Sequence, residues 1–220
     1  MKITWLGHDA FLFETAKGVK VLSDPYVAGS YDGAVGYKPI TEVVDVVFVS
    51  HASHPDHGGH KNLPGSPQVL LGAGRHEAKG ITFKGVATFH DKSGGKERGH
   101  NTVFVMEADG LRICHCGDLG HTLTPAQVQE IGAVDVLFVP VGGFFTINHR
   151  EAWEVVEALK PKIVVPMHYK TEVLGFPLDK VDEFLKGKRN VERIKGSSFE
   201  VSKETLPKET KIVVIEEHLL

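Results

Sequence analysis

The chain has 220 residues, 41% hydrophobic and 24% charged, with a formal net charge of -3 at pH 7. That length fits one domain over 1–220 with a sizeable core, and the mildly acidic balance offers no electrostatic footprint for nucleic acid or an anionic membrane. No apolar run reaches the roughly 18 residues of a membrane span, the opening residues lack the apolar stretch of an export signal, and only Cys114 and Cys116 carry thiols, so the expectation is a cytoplasmic protein in a reducing compartment, as a monomer or homo-oligomer.

Residues 2–6, 11–14 and 19–22 read as short strands joined by tight turns, the first leading into Gly7-His8. A loop rich in Gly, Tyr and Pro follows at 28–41. The apolar run at 43–50 predicts a strand buried on both faces. Residues 51–67, dense in His, Gly and Pro, predict a loop with at most a short helical piece. Strands are expected at 68–71, 81–84, 86–90, 101–107 and 110–115, with Cys114 and Cys116 on opposite faces of an extended segment and unpaired. Thr124-Pro125 supplies the N-cap and first position of a helix over 124–131. A second buried strand is expected at 134–139, and a helix at 149–160 places Ala152, Val155, Val156 and Leu159 on one face. A strand at 163–166, a helix at 178–185 and a strand at 211–215 complete the chain. Val44-Asp45-Val46-Val47-Phe48-Val49 matches Val134-Asp135-Val136-Leu137-Phe138-Val139 at five of six positions, which suggests two similar halves. The order of elements predicts two packed sheets with helices outside, a four-layer α/β sandwich.

Thirteen histidines are many for 220 residues, and histidine is the commonest metal ligand. The densest stretch is Ser50-His51-Ala52-Ser53-His54-Pro55-Asp56-His57-Gly58-Gly59. Pro55 and the Gly58-Gly59 pair oppose a helix there. A loop leaving a buried strand can instead wrap several ligands around one or two ions. Imidazole nitrogen with carboxylate oxygen suits zinc, manganese or iron. His90-Asp91, Gly117-Asp118 and Met167-His168 stand at the ends of later predicted strands, where a rigid sheet can hold a preorganised site.

The ordered set His54-Pro55-Asp56-His57, His90, Gly117-Asp118 and His168 resembles the signature of the metallo-β-lactamase superfamily. Trp5-Leu6-Gly7-His8, Cys116-Gly117-Asp118-Leu119-Gly120-His121, Pro140-Val141-Gly142-Gly143 and Pro166-Met167-His168-Tyr169-Lys170-Thr171 are similar to one branch of it. That branch holds metal-dependent hydrolases similar to L-ascorbate-6-phosphate lactonase and to phospholipase D-type enzymes acting on N-acyl ethanolamine lipids. The resemblance implies an αββα sandwich with its site at one edge of the sheets. It also implies two divalent metal ions, Zn2+ with Mn2+ or Fe2+ as alternatives. His54, His90 and a first histidine would hold one ion, Asp56, His57 and His168 the other, and Asp118 would bridge them. Asp56 and Asp118 would be the catalytic carboxylates, with Asp56 orienting an activated water or taking its proton.

One feature departs from that pattern. Two residues, Ala52 and Ser53, separate His51 from His54 where the family has one. His51, rather than Ser53 or His60, is expected to complete the first site through a bulge at the strand end. His8 is expected near the substrate or the metals; the resemblance places Arg98, Lys170, Phe144, Phe145 and Tyr169 near the site mouth, where Arg98 and Lys170 would hold a phosphate or carboxylate of the substrate or else be solvated surface charges. His115 and His121 fall in the same segments and either support the Asp118 loop or are structural histidines. His60, His76, His100, His149 and His218 are read as surface residues. The expected activity is hydrolysis of a small anionic lactone, ester or phosphodiester. The alternative is a metal-binding or redox-sensing protein of the same fold without turnover, favoured by the Ala52-Ser53 insertion and by Cys116. The acidic balance and the lack of an inserted clamp domain argue against a nuclease, and the missing export signal against a β-lactamase proper.

Overall fold

The computed structural model describes residues 1–216, so His218 lies outside the described residues. The first half contains β1 (Lys2–Gly7), β2 (Ala10–Glu14), β3 (Lys20–Ser23), β4 (Val46–Val49), β5 (Gln68–Leu71), β6 (Gly74–Ala78), β7 (Ile81–Phe89) and β8 (His100–Ala108). There follow β9 (Leu111–His115), α1 (Pro125–Ile131), β10 (Val136–Pro140), α2 (His149–Leu159), β11 (Ile163–Met167), α3 (Val181–Leu185), β12 (Val191–Ile194), β13 (Ser198–Glu200) and β14 (Lys211–Ile215). They form a six-stranded sheet, β13-β1-β2-β3-β4-β5, and an eight-stranded sheet, β12-β14-β11-β10-β9-β8-β7-β6.

Strand alternation explains why the two sheets stack. Phe11 and Phe13 of β2 and Val46 and Phe48 of β4 join the core between the sheets. Leu12, Val47 and Val49 face the other way, onto Tyr26, Val35, Tyr37, Leu174 and Phe176. Across the gap, Phe138 of β10 meets Phe11 and Phe13 with ring centroids 4.6 and 5.4 Å apart. Each such fully buried side chain stabilises the fold by about 1.5–3 kcal/mol. α2 buries Ala152, Val155, Val156 and Leu159 and packs on β10 and α3. The result is an α/β sandwich in which helices clothe the eight-stranded sheet. Irregular segments, bridged at Val35 and Leu174, clothe the outer face of the six-stranded one.

The repeated Val-Asp segment has a structural counterpart. Asp45 at the entry to β4 accepts the Lys20 amide through its carboxylate and donates its own amide to the Lys20 carbonyl. Asp135 at the entry to β10 makes the same pair of bonds with Arg112. In each half the aspartate staples a central parallel strand to its neighbour.

Several boundaries differ from the expectations, each for a visible reason. The strands expected at 81–84 and 86–90 are one strand, because Gly85 does not break it. A Cβ there would lie 2.3 Å from the Gly72 carbonyl oxygen, so the glycine permits a close approach within the sheet. β6, β12 and β13 were not anticipated; they are short, partly exposed edge strands without an apolar run. The helix expected at 178–185 shortens to Val181–Leu185, and Lys180 provides no side-chain cap. α1 has the expected Thr124 cap, strengthened by the reciprocal bond of Gln127 to the Thr124 amide. Cys114 and Cys116 remain free, buried thiols, but they do not oppose one another. Residues two apart on an extended chain share a face, and the two thiols interact directly.

Candidate metal centre

All the candidate donors gather where strands of one direction end. His8 follows β1, His51 lies just past β4, His90 follows β7, Asp118 lies past β9, and His168 follows β11. These strands carry buried apolar runs, so the donors stand on rigid supports.

Two groups form. In the first, one donor atom each from His51, His54, His90 and Asp118 lies within 4.8 Å of the others. The rings of His51 and His54 are 4.2 Å apart and those of His54 and His90 5.6 Å. His90 Nδ1 donates to the Asp118 carbonyl at 2.8 Å, and His51 Nδ1 donates to the His100 carbonyl at 2.6 Å. A carbonyl can only accept, so both bonds put the ring proton on Nδ1 and leave Nε2 with a lone pair; that of His51 accepts the Ser53 hydroxyl at 3.1 Å. The extra residue before His54 is absorbed in an exposed turn at Ala52 and Ser53, and His51 sits in the group.

The second group holds Asp9, His57, Asp118 and His168, again within 4.8 Å. Asp118 Oδ1 lies 3.2 Å from both His57 Nε2 and His168 Nε2, while its Oδ2 is 3.6 Å from His90 Nε2. One carboxylate therefore turns an oxygen toward each group. Asp56 lies at the margin: its Oδ1 accepts the Tyr31 hydroxyl at 3.2 Å, and its Oδ2 is 3.8 Å from His8 Nε2.

The electrostatics ask for a cation. Burial alone would raise the carboxyls of Asp9, Asp56 and Asp118, but the facing histidines hold all three below the ordinary range. Burial alone would lower His57 and His168. The carboxylates of Asp118 and Asp56 nevertheless raise His57 well above its usual value, and Asp9 and Asp118 raise His168. Three buried carboxylates facing these rings require compensating positive charge. Buried polar atoms at His8, Asp9 Oδ1, His57 Nδ1, Asp118 Oδ1 and His168 Nδ1 have no hydrogen-bond partner among the described residues. A nitrogen and oxygen donor set with surplus negative charge and unpaired atoms fits divalent ions of the zinc, manganese or iron type.

The surroundings fix the donors. Asp24 accepts from the Ser50 amide at 2.6 Å and from its hydroxyl at 2.7 Å, anchoring the strand end before His51. Burial lifts the Asp24 carboxyl to about 7, despite the His57 charge and the Ser50 bonds. Asn101 accepts the Asp118 amide and donates to the Cys116 carbonyl. His115 accepts the Gly117 amide at 3.2 Å, and His121 accepts the Phe89 amide at 3.1 Å, just before His90.

A cavity of 220 Å³ opens onto His54, Asp56, His90, Asp118 and His168, and Tyr31, Phe145, Phe176 and Arg98 complete its lining. The Arg98 guanidinium stands 5.8 Å from the centre of the Phe145 ring. Phe144 points to solvent, and Tyr169 is buried with its hydroxyl on the Ile215 carbonyl. Lys170, expected at the substrate, does not line the cavity. Its ammonium donates to the Leu174 and Phe176 carbonyls and so secures the loop that carries Phe176. His8, also expected at the substrate, lies behind the cavity wall against His168. His60, His76, His100 and His149 belong to neither group. Asp9, Tyr31 and Phe176 were missed by sequence reasoning. Only Asp9, directly after His8, carried any signal. Cys116 is fully buried, and the Cys114 thiol and burial push its own thiol up well above the usual range; such a thiol is inert.

Residues 2–168 match the family described as the beta-lactamase superfamily domain. The UPF0173 metal-dependent hydrolase of Thermococcus onnurineus is 32% identical over 195 residues, spanning 78% of this chain and 85% of that protein. That of Archaeoglobus fulgidus is 31% identical over 228 residues, spanning 91% and 94%. A crystal structure of a metallo-β-lactamase superfamily protein from Thermotoga maritima superposes with a TM-score of 0.80 at 42% identity, covering 97% of each chain.

Proposed function

Because this chain belongs to the metallo-β-lactamase superfamily and is a metal-dependent hydrolase, we propose that it uses a two-metal centre to hydrolyse a small anionic lactone, ester or phosphodiester. The observation that carries the reading is Asp118, whose two oxygens face two separate histidine groups. His51, His54 and His90 would hold one ion, His57 and His168 with Asp56 would hold the other, and Asp118 would serve both. Zinc is the first choice for this donor set, with manganese or iron as alternatives. When bound, such ions polarise the scissile carbonyl or phosphoryl group and acidify a water molecule.

The chain's own residues do the rest. Asp56, at the cavity wall and ionised, has its Oδ1 fixed by the Tyr31 hydroxyl, and at that oxygen it would orient the attacking water and accept its proton. Arg98 receives the anionic group of the substrate. Tyr31, Phe145 and Phe176 wall the cavity with apolar surface, limiting water and favouring a substrate with an apolar side. The test has two stages. Metal content of chelator-free protein, and of protein reconstituted with Zn2+, Mn2+ or Fe2+, should come to two ions per chain. The loaded protein should then turn over members of a panel of phosphodiesters, lactones and esters. Absence of bound metal under every loading condition would falsify the reading.

A further inference from the structure

The turn between β1 and β2 brings a histidine that the motif does not include. His8 follows Gly7, whose φ of +123° and close packing on Tyr37 leave no room for a Cβ: one would sit 2.5 Å from the ring. The Trp5 indole donates to the His8 carbonyl at 2.9 Å and locks the turn. His8 itself has φ +50°, in the left-handed region. His168, at the end of β11 in the other sheet, has φ +51°. Left-handed backbone is unfavourable for a residue with a Cβ by about 1–2 kcal/mol, and such strain gathers at functional positions. The two strained turns press the two rings together, with centroids 4.3 Å apart.

The His8 side chain is fully buried, and neither ring nitrogen has a hydrogen-bond partner among the described residues. The nearest carboxylate oxygen, on Asp56, is 3.8 Å away, beyond hydrogen-bond reach. Leaving a buried imidazole without a hydrogen bond costs about 1–3 kcal/mol, so strain and desolvation add at one residue, offset only by the nearby charges of Asp9 and Asp56. The geometry nominates the missing partner. One nitrogen each from His8, His57 and His168 lies within 4.8 Å of the others. Metal–nitrogen bonds of about 2.0–2.1 Å would draw these nitrogens closer together than that limit.

We propose that His8 is a ligand of the second metal, a third imidazole beside His57 and His168. The inference rests on the two-metal reading above. It makes the second position richer in nitrogen than the motif alone implies, and it leaves Asp56 on the cavity side, where the Tyr31 hydroxyl already holds it.

The experiment is calorimetric titration of the chelated full chain with Zn2+, alongside the visible spectrum of the Co2+-loaded protein. The parent should bind two ions. Replacing an outer-sphere partner of a ligand weakens metal affinity about 10–100-fold, so loss of a true ligand must exceed that. His8→Ala should weaken the second ion by more than about 100-fold, leave the first unchanged, and shift the cobalt bands. His8→Gln, which keeps most of the volume against His168, should do the same if the alanine variant fails to fold. A smaller loss, or equal weakening of both ions, overturns the inference while the two-metal reading stands. A parent chain that binds fewer than two ions sinks that reading, and this inference with it.

Discussion

His51 and His90 face each other across the junction of the two sheets, ring centroids 4.9 Å apart, although one leaves β4 and the other leaves β7. With Nδ1 of each tied to a backbone carbonyl, both keep an unprotonated Nε2, and both belong to one group with His54 and Asp118. His60, on a short 3-10 helix beyond Gly58-Gly59, is outside that group. His51→Ala should therefore lose one metal per chain, and His60→Ala should keep both. Elemental analysis of the two variants decides; full occupancy in His51→Ala would mean the first position is built from other donors.

Asp118→Ala removes the carboxylate that faces both groups. Several kcal/mol of transition-state stabilisation are at stake, so kcat/KM should fall by about three orders of magnitude. The fold should survive, because the Asp118 amide and carbonyl keep their bonds to Asn101 and His90. Circular dichroism and steady-state kinetics on one preparation check both halves. Near-parental turnover would remove Asp118 from the bridging position.

Arg98 and Lys170 should separate. Arg98 lines the cavity, so Arg98→Ala should raise KM about tenfold for an anionic substrate and leave a neutral analogue unaffected. Lys170→Ala breaks the bonds to Leu174 and Phe176, and should lower stability by about 1.5 kcal/mol with an equal effect on both substrates. A selective loss of the anionic substrate in Lys170→Ala would put its charge back at the site.

Metal loading should stabilise the chain. An ion that binds only the folded state adds about 2.7 kcal/mol at a hundredfold excess over its dissociation constant. The thermal midpoint should rise with Zn2+ or Mn2+ and fall again with chelator, and the rise should shrink in Asp118→Ala. A midpoint indifferent to metal would argue that the buried carboxylates are satisfied by protons alone.

Phe138→Ala opens the junction where Phe138 packs on Phe11 and Phe13. It should destabilise the metal-free chain by about 3–5 kcal/mol, seen as a lower denaturant midpoint at unchanged slope. A loss below about 1 kcal/mol would mean that the sheets can close over the cavity.

The strands with long buried apolar runs, such as β4, β10 and β11, were legible in the sequence because a strand buried on both faces must be apolar throughout. α1 was legible from Thr124-Pro125, whose capping chemistry is local. The candidate donors His51, His54, His57, His90, Asp118 and His168 were legible because they lie at or after the ends of β4, β7, β9 and β11, so a linear pattern marks a spatial one. What the sequence could not state is which faces meet. The edge strands β6, β12 and β13 owe their form to backbone pairing with neighbours far along the chain, which leaves no apolar signature. Lys170 looked like a free cation until the fold laid two carbonyls against it. Tyr31 and Phe176 lie in irregular segments with no periodicity, and only the packing of those segments on the outer face of the first sheet brings them to the cavity. The register of Asp118 between two histidine groups, and the pairing of His8 with His168, depend on two sheets closing on one core. That closure is set by the summed burial of distant side chains, and no local stretch of sequence encodes it.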